Sequence, residues 1–334
     1  MTNHYPNSVH EALFLDVNGM PQWITVRGRH IDNPVLFIVG GPGAAFTTLA
    51  RYFEPWENFF TLVQWDQPGG GATHGKNGDA GIEPYTLKRL ADDAVAAALK
   101  VCELLDKDQI IFLGFSGGTV LGLKAMHNPL HPFRAFAGCG TFVHWQHQAQ
   151  KSYDLALQRA REGGSRNAVQ ELLDIGPPPY KDIEQEKIKS RYAGAMTPAE
   201  QEAVSALDPG ILADMFTPQP GEDFVAAGVE YPHPIEQATR LFDRLRAELY
   251  SFDAWTLPLA YEVPMIFIQG DQDIYSVTSE VESFVGEINA PYKRLSIIAG
   301  AGHNIMFMRD RLLNVLREEI SLIGRLEREE NVPR

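Results

Sequence analysis

The chain has 334 residues, 44% hydrophobic and 22% charged, close to globular averages and long enough for one large core, which excludes disorder as the default. Its formal net charge of −14, from 29 Lys and Arg against 43 Asp and Glu, opposes binding to nucleic acid or to anionic membrane surfaces and leaves a small molecule or short peptide as the expected partner. No run of eighteen apolar residues occurs and the opening MTNHYPNSVHEALF has no basic, then apolar, leader, so the expected setting is the cytoplasm, with Cys102 and Cys139 as reduced thiols.

In chain order, EALFLDVNGMPQWITVRGR alternates apolar and polar residues about Asn18-Gly19, the pattern of a β-hairpin with a tight turn. Three apolar runs then end in glycine: PVLFIVGGPG over 34–43, FTLVQWDQPGGG over 60–71 and DQIIFLGFSGG over 108–118. Short runs of this kind, spaced by helical stretches such as 85–106, predict parallel strands covered on both faces. After FRAFAGCGT at 133–141 the chain becomes polar, acid-rich and helix-prone until about Asp253. The strand pattern resumes with PMIFIQGDQD at 264–273 and KRLSIIAG at 293–300, separated by a helical stretch over 279–288 and followed by a closing amphipathic helix from about Arg309. The expected fold class is α/β, a mostly parallel, doubly wound sheet formed by 1–142 and 256–334 and interrupted by a helical cap insertion at 143–255. No internal repeat is present, and Gly176-Pro177-Pro178-Pro179-Tyr180 reads as a rigid turn within the insertion.

Gly114-Phe115-Ser116-Gly117-Gly118 is a G-x-S-x-G segment where an apolar strand meets a helical run. A nucleophilic serine needs a sharp strand-to-helix turn that exposes its hydroxyl, and small neighbours let that turn fit against the backbone around it. The hydroxyl also needs a base and an acid to orient that base, in the chain order Ser, acid, His. Asp273 and His303 follow the two late strands and meet that order, with Asp271 as the competing acid. Donors for a developing oxyanion are expected at the N–H of Gly117 and, within Gly40-Gly41-Pro42-Gly43, at Gly41. This chemistry requires no metal and no organic cofactor.

Other motifs carry less. Gly70-Gly71-Ala72-Thr73-His74-Gly75-Lys76-Asn77 approaches a phosphate-binding loop, but Asn77 stands where Ser or Thr would hold magnesium. His127, His131, His144 and His147 lack the spacing and companions of a zinc site. Glu184, Glu186, Glu200 and Glu202 read as a solvated helical face, and Phe216, Phe224 and Trp255 as either pocket lining or core.

With these residues assembled, the chain resembles the proline iminopeptidase branch of the α/β hydrolases over roughly 34–141 and 260–320. Gly40-Gly41-Pro42-Gly43 is similar to that family's His-Gly-Gly-Pro-Gly loop, with Val39 replacing the histidine. Asp66-Gln67-Pro68-Gly69-Gly70-Gly71 resembles its Asp-Gln-Arg-Gly-x-Gly loop, with Pro68 for arginine, and Gly117 stands where the family often has tryptophan. APYKRLSIIAGAGH follows the family's lead into its catalytic histidine. The resemblance implies a serine hydrolase with the triad Ser116, Asp273 and His303 and a helical cap over the site. The implied activity is an aminopeptidase releasing an N-terminal residue such as proline. A carboxylesterase or lactonase on a small metabolite is the alternative, and a non-catalytic binding protein on the same scaffold is an alternative of another class. Neither the substrate-binding residues nor an oligomeric state is specified by the sequence.

Overall fold

The computed structural model describes residues 7–81, 85–193, 196–216, 226–229 and 234–330. Eight strands form one sheet in the order β1-β2-β4-β3-β5-β6-β7-β8. β1 (Val9–Val17) and β2 (Met20–Gly28) make the antiparallel hairpin, with Val17 opposite Met20 and both turn residues, Asn18 and Gly19, at positive φ. That turn twists in the sense of the strands it joins. β2 pairs antiparallel with β4 (Thr61–Trp65), and every later pairing is parallel, through β3 (Val35–Val39), β5 (Ile110–Phe115), β6 (Phe133–Cys139), β7 (Met265–Gly270) and β8 (Lys293–Ile298).

β3, β4, β5 and β7 are buried along their whole lengths, which accounts for their continuous apolar runs. Alternate residues feed two cores. Phe37, Phe112 and Phe267 pack on one face with α3 (Leu87–Leu105) and α11 (Thr278–Glu287), and Ile38, Leu113 and Ile268 pack on the other with α1 (Ala50–Phe53) and α12 (Arg309–Glu330). Between β3 and β6 the chain also forms α2 (Gly71–Asn77) and α4 (Gly118–Ala125).

Among the described residues, helices between β6 and β7 include α5 (Trp145–Glu162), α6 (Arg166–Ile175), α7 (Ile183–Ala193), α8 (Pro198–Ser205), α9 (Pro209–Phe216) and α10 (Pro234–Tyr250). The two ends of this segment meet. Trp145 N–H donates to Phe252 O at 3.0 Å and Ala254 N–H to Val143 O at 2.7 Å, so the chain leaves and rejoins the sheet at one place. No helix among the described residues is long and apolar enough to cross a membrane.

Candidate active site

Ser116 follows β5 directly and has φ +53°, a left-handed conformation that a non-glycine residue holds only where its surroundings enforce it. Its N–H donates to Cys139 O at the end of β6, and its carbonyl accepts from Thr119 N–H as α4 begins. The flanking glycines are demanded by contact. A Cβ on Gly118 would fall 2.1 Å from Val39 O, and one on Gly114 would fall 3.1 Å from both Gly118 O and Thr119 N. The turn therefore lifts the Ser116 side chain clear of a tightly packed strand junction.

The hydroxyl of Ser116 lies 2.8 Å from His303 Nε2, and His303 Nδ1 lies 2.9 Å from Asp273 Oδ2. With the Nδ1–H directed at the carboxylate, Nε2 is free to accept the serine proton. Asp273 is buried, and its second oxygen accepts from Tyr275 N–H at 2.8 Å and Ser276 N–H at 2.9 Å. Burial alone would raise the Asp273 carboxyl, but the His303 imidazole and the hydrogen bonds from His303, Ser276 and Tyr275 outweigh it and hold the group below the ordinary carboxylate range. Asp271 does different work, accepting Gly300 N–H at 2.7 Å and so bracing the loop that leads to His303.

The imidazole is fixed from several sides. Phe142 meets it edge-on with ring centroids 5.6 Å apart, and Tyr275 lies 5.2 Å away. Gly140, at φ +61°, leaves room for it, since a Cβ there would sit 3.2 Å from the ring. Gln269 ties these parts together, accepting Thr141 N–H at 2.6 Å and donating to Ser276 O at 2.9 Å.

Across from the imidazole, Gly41 and Gly117 face each other, and a Cβ on Gly117 would come within 3.1 Å of Gly41 Cα. Among the described residues neither N–H has a hydrogen-bond partner, and both residues line the cavity at Ser116. The loop carrying Gly41 is held by the Asp66-Gln67 segment. Gln67 donates to Gly40 O at 2.9 Å and accepts Gly43 N–H at 3.3 Å, while Asp66 accepts Thr47 Oγ1–H at 2.7 Å and Ala72 N–H at 2.9 Å. The cavity has a volume of about 480 Å³, and its wall is largely apolar, with Phe46, Leu49, Trp145, Ile183, Phe242 and Met306. Among the described residues Glu186 is the single acid on it, and its oxygens bond Lys189 Nζ at 2.8 Å and Tyr250 O–H at 3.1 Å.

No protein-family profile matches the chain. A probable aminopeptidase of Bacillus subtilis is 25% identical over 298 residues, covering 86% of this chain and 89% of that protein. A proline iminopeptidase of Mycobacterium smegmatis superposes with a TM-score of 0.61 at 17% identity, over 94% of this chain and 98% of that one. An α/β-hydrolase enzyme from a deep-sea metagenome superposes with a TM-score of 0.56 at 13% identity, over 91% and 95% of the two chains. The chain has the α/β-hydrolase fold. Together these likenesses support an enzyme of the hydrolase class.

Within this α/β-hydrolase fold the sequence-predicted residues converge at the carboxyl ends of β3, β5, β7 and β8, where open α/β sheets place their sites. One expectation is corrected: the four acids of the inserted segment do not form a single solvated face. Glu200 is fully buried and bonded to the His303 loop, and Glu186 faces the cavity, whereas Glu184 and Glu202 are exposed. Trp255 lies away from the cavity wall, donating to Glu287 at 3.0 Å and packing on Phe284. Phe224 and the side chain of Phe216 lie outside the described residues. The near-phosphate-loop run at 70–77 is mostly helix, with Thr73 and Asn77 bonded to the protein's own backbone. His144 caps α5 and stacks on His147, while His127 lies tilted against Tyr261 and His131 stacks on Phe133. Among the described residues no cluster of three or more His, Cys, Asp or Glu side chains is placed to hold a metal ion.

Ser276 was not singled out from the sequence. Its hydroxyl donates to Asp273 Oδ2 at 2.6 Å and lies 3.2 Å from His303 Nδ1. A serine three residues after the acid was the available signal, and it is too common a spacing to carry weight alone.

Proposed function

We propose that this chain is a serine hydrolase in which Ser116 attacks an ester or amide carbonyl to form an acyl-enzyme. The observation that carries the reading is the continuous hydrogen-bond chain from Ser116 through His303 to Asp273, opening on a cavity with two free backbone N–H groups. In the forward step the Oγ–C bond forms as the hydroxyl proton passes to Nε2, and Asp273 stabilises the imidazolium that results. The carbonyl oxygen gains negative charge against the N–H groups of Gly41 and Gly117, which need no reorganisation to receive it. His303 then protonates the leaving amine or alcohol, and a water activated by the same nitrogen releases the acyl group. No step calls on a metal or an organic cofactor. The helices over 143–255 act as a cap that shapes the cavity and limits the size of the small-molecule or short-peptide substrate.

The first reading of the substrate is an N-terminal residue removed from a peptide, as in an aminopeptidase. It is supported by the probable aminopeptidase of Bacillus subtilis and by the Glu186 carboxylate on the cavity wall, the sort of group that an α-ammonium would meet. The second reading, a carboxylesterase, is favoured by the apolar remainder of that wall and by the pairing of Glu186 with Lys189. Hydrolysis of proline p-nitroanilide, p-nitrophenyl acetate and p-nitrophenyl butyrate by the purified protein separates them. Dominant anilide cleavage identifies the aminopeptidase and ester cleavage alone the esterase. Ser116→Ala is expected to lower kcat by on the order of 10⁶-fold on whichever substrate is turned over. Activity that survives this substitution would overturn the proposal.

A further inference from the structure

Glu200, in the segment between β6 and β7, is fully buried and, among the described residues, has no lysine or arginine partner. A carboxylate in that position is expensive unless hydrogen bonds replace its water. It has two such bonds. Oε2 accepts Thr197 N–H at 2.8 Å, closing a capping box at the start of α8 that is completed by the Thr197 side chain. Oε1 accepts Gly302 N–H at 2.8 Å, in the residue before His303 and 102 positions along the chain.

Capping α8 needs only the first bond. An exposed glutamate could supply it without the cost of burial. The second bond reaches out of the inserted segment into the loop that holds the base. Thr197 Oγ1–H adds a parallel tie to Gly300 O at 2.7 Å, and Gly302 sits tightly against this pair, since a Cβ there would lie 3.0 Å from Thr197 Cγ2 and 3.1 Å from Glu200 Oε2. Ala199, Ala203 and Leu207 pack on the same core cluster as Ala301 and Ile305, which flank His303. Burial raises the Glu200 carboxyl, while the Thr197 and Gly302 N–H groups pull the other way; Asp273 acts on it in the raising sense and His303 in the lowering one.

We propose that Glu200 is a positioning residue for His303: by holding Gly302 N–H from the inserted helices, it sets the height of the imidazole above Ser116 and makes base placement depend on the seating of the cap. The proposal rests on the reading of Ser116 and His303 as nucleophile and base.

The test compares Glu200→Ala, Glu200→Asp and Glu200→Gln with wild type in two readouts on folded protein. One is the second-order rate of Ser116 phosphonylation by a fluorophosphonate, in which the Oγ–P bond forms, fluoride leaves and the proton passes to His303. The other is kcat and KM on p-nitrophenyl butyrate or, if esters are not cleaved, proline p-nitroanilide. Glutamine keeps the reach and an acceptor oxygen for Gly302, whereas aspartate keeps the charge and suits the first turn of a helix but falls short of Gly302. Expected are labelling rates and kcat reduced about tenfold to a hundredfold in the alanine and aspartate variants, with KM little changed and most of the rate restored in the glutamine variant. If the alanine variant fails to fold, the contrast between aspartate and glutamine decides. Folded variants that label and turn over like wild type, or rates that follow charge rather than reach, overturn the proposal and leave Ser116 in place. A wild-type protein that the probe does not label at Ser116 overturns the nucleophile assignment and this inference with it.

Discussion

Asp273 receives four hydrogen bonds, from His303 Nδ1–H, Ser276 Oγ–H and the N–H groups of Tyr275 and Ser276. Its depressed pKa fixes the sign of a pH effect. A carboxylate more acidic in the folded chain than in the unfolded one adds stability above the ordinary carboxylate range, and that contribution disappears as pH falls through the folded value. Asp273→Asn is therefore expected to melt below wild type near neutral pH, with the gap closing as pH drops below about 4. Thermal melts across pH test this, and a gap that widens in acid contradicts it. Ser276→Ala removes one donor from the same carboxylate while leaving the backbone donors, so kcat should fall less than in Asp273→Asn, by about tenfold. Steady-state kinetics of the two variants side by side give the order. At this scale the sequence singled out Ser116, His303 and Asp273 by residue type and position after a strand. It favoured Asp273 and kept Asp271 as a competitor, because both follow β7 and only the path of the loop turns one toward His303 and the other toward Gly300.

The elements that build the site are those with the clearest sequence patterns. β3, β5 and β7 are buried throughout, so they appear as unbroken apolar runs ending in glycine, and the glycines mark where the backbone of one connection presses on the next. Gly118 shows how tight that fit is. Gly118→Ala would drive a methyl into Val39 O and Gly40 O, which lie 2.1 and 2.7 Å from the added carbon, so β3 and the Gly41 loop must move apart from α4. A loss of about 1–3 kcal/mol or more is expected, read as a lower urea midpoint, together with slower phosphonylation of Ser116. Gly286→Ala is the contrasting case, at an open position near the end of α11, and should stabilise by about 0.5–1 kcal/mol. Equal effects of the two substitutions would refute the packing argument. The helices between β6 and β7 were legible as helices but not in what they face. The Thr197-Pro198-Ala199-Glu200 capping signal is present in the sequence, yet the burial of Glu200 comes from α8 docking on a loop a hundred residues further on, which helical periodicity does not encode.

At the scale of the whole molecule, an acidic chain would be expected to favour cationic substrates, but net charge acts at long range and is screened by salt. What a bound substrate meets is the cavity wall, where the acid among the described residues is already answered: Glu186 pairs with Lys189, a buried lysine whose Nζ also lies 4.4 Å above the Tyr275 ring, itself against His303. With the pair intact, that wall presents little net charge and suits a neutral acyl group. With the lysine removed, the carboxylate faces the cavity alone. An unpaired carboxylate near a substrate ammonium contributes about 1–4 kcal/mol at the effective dielectric of a protein surface. Lys189→Met, which keeps the length of the side chain, should then raise the ratio of kcat/KM for proline p-nitroanilide to that for p-nitrophenyl butyrate by about tenfold. The melting midpoint should fall, because Glu186 loses its ionic partner in a partly buried setting. A lower melting point with an unchanged ratio would place the substrate's amino group away from Glu186, and the pair would then serve only to hold α7 over the site.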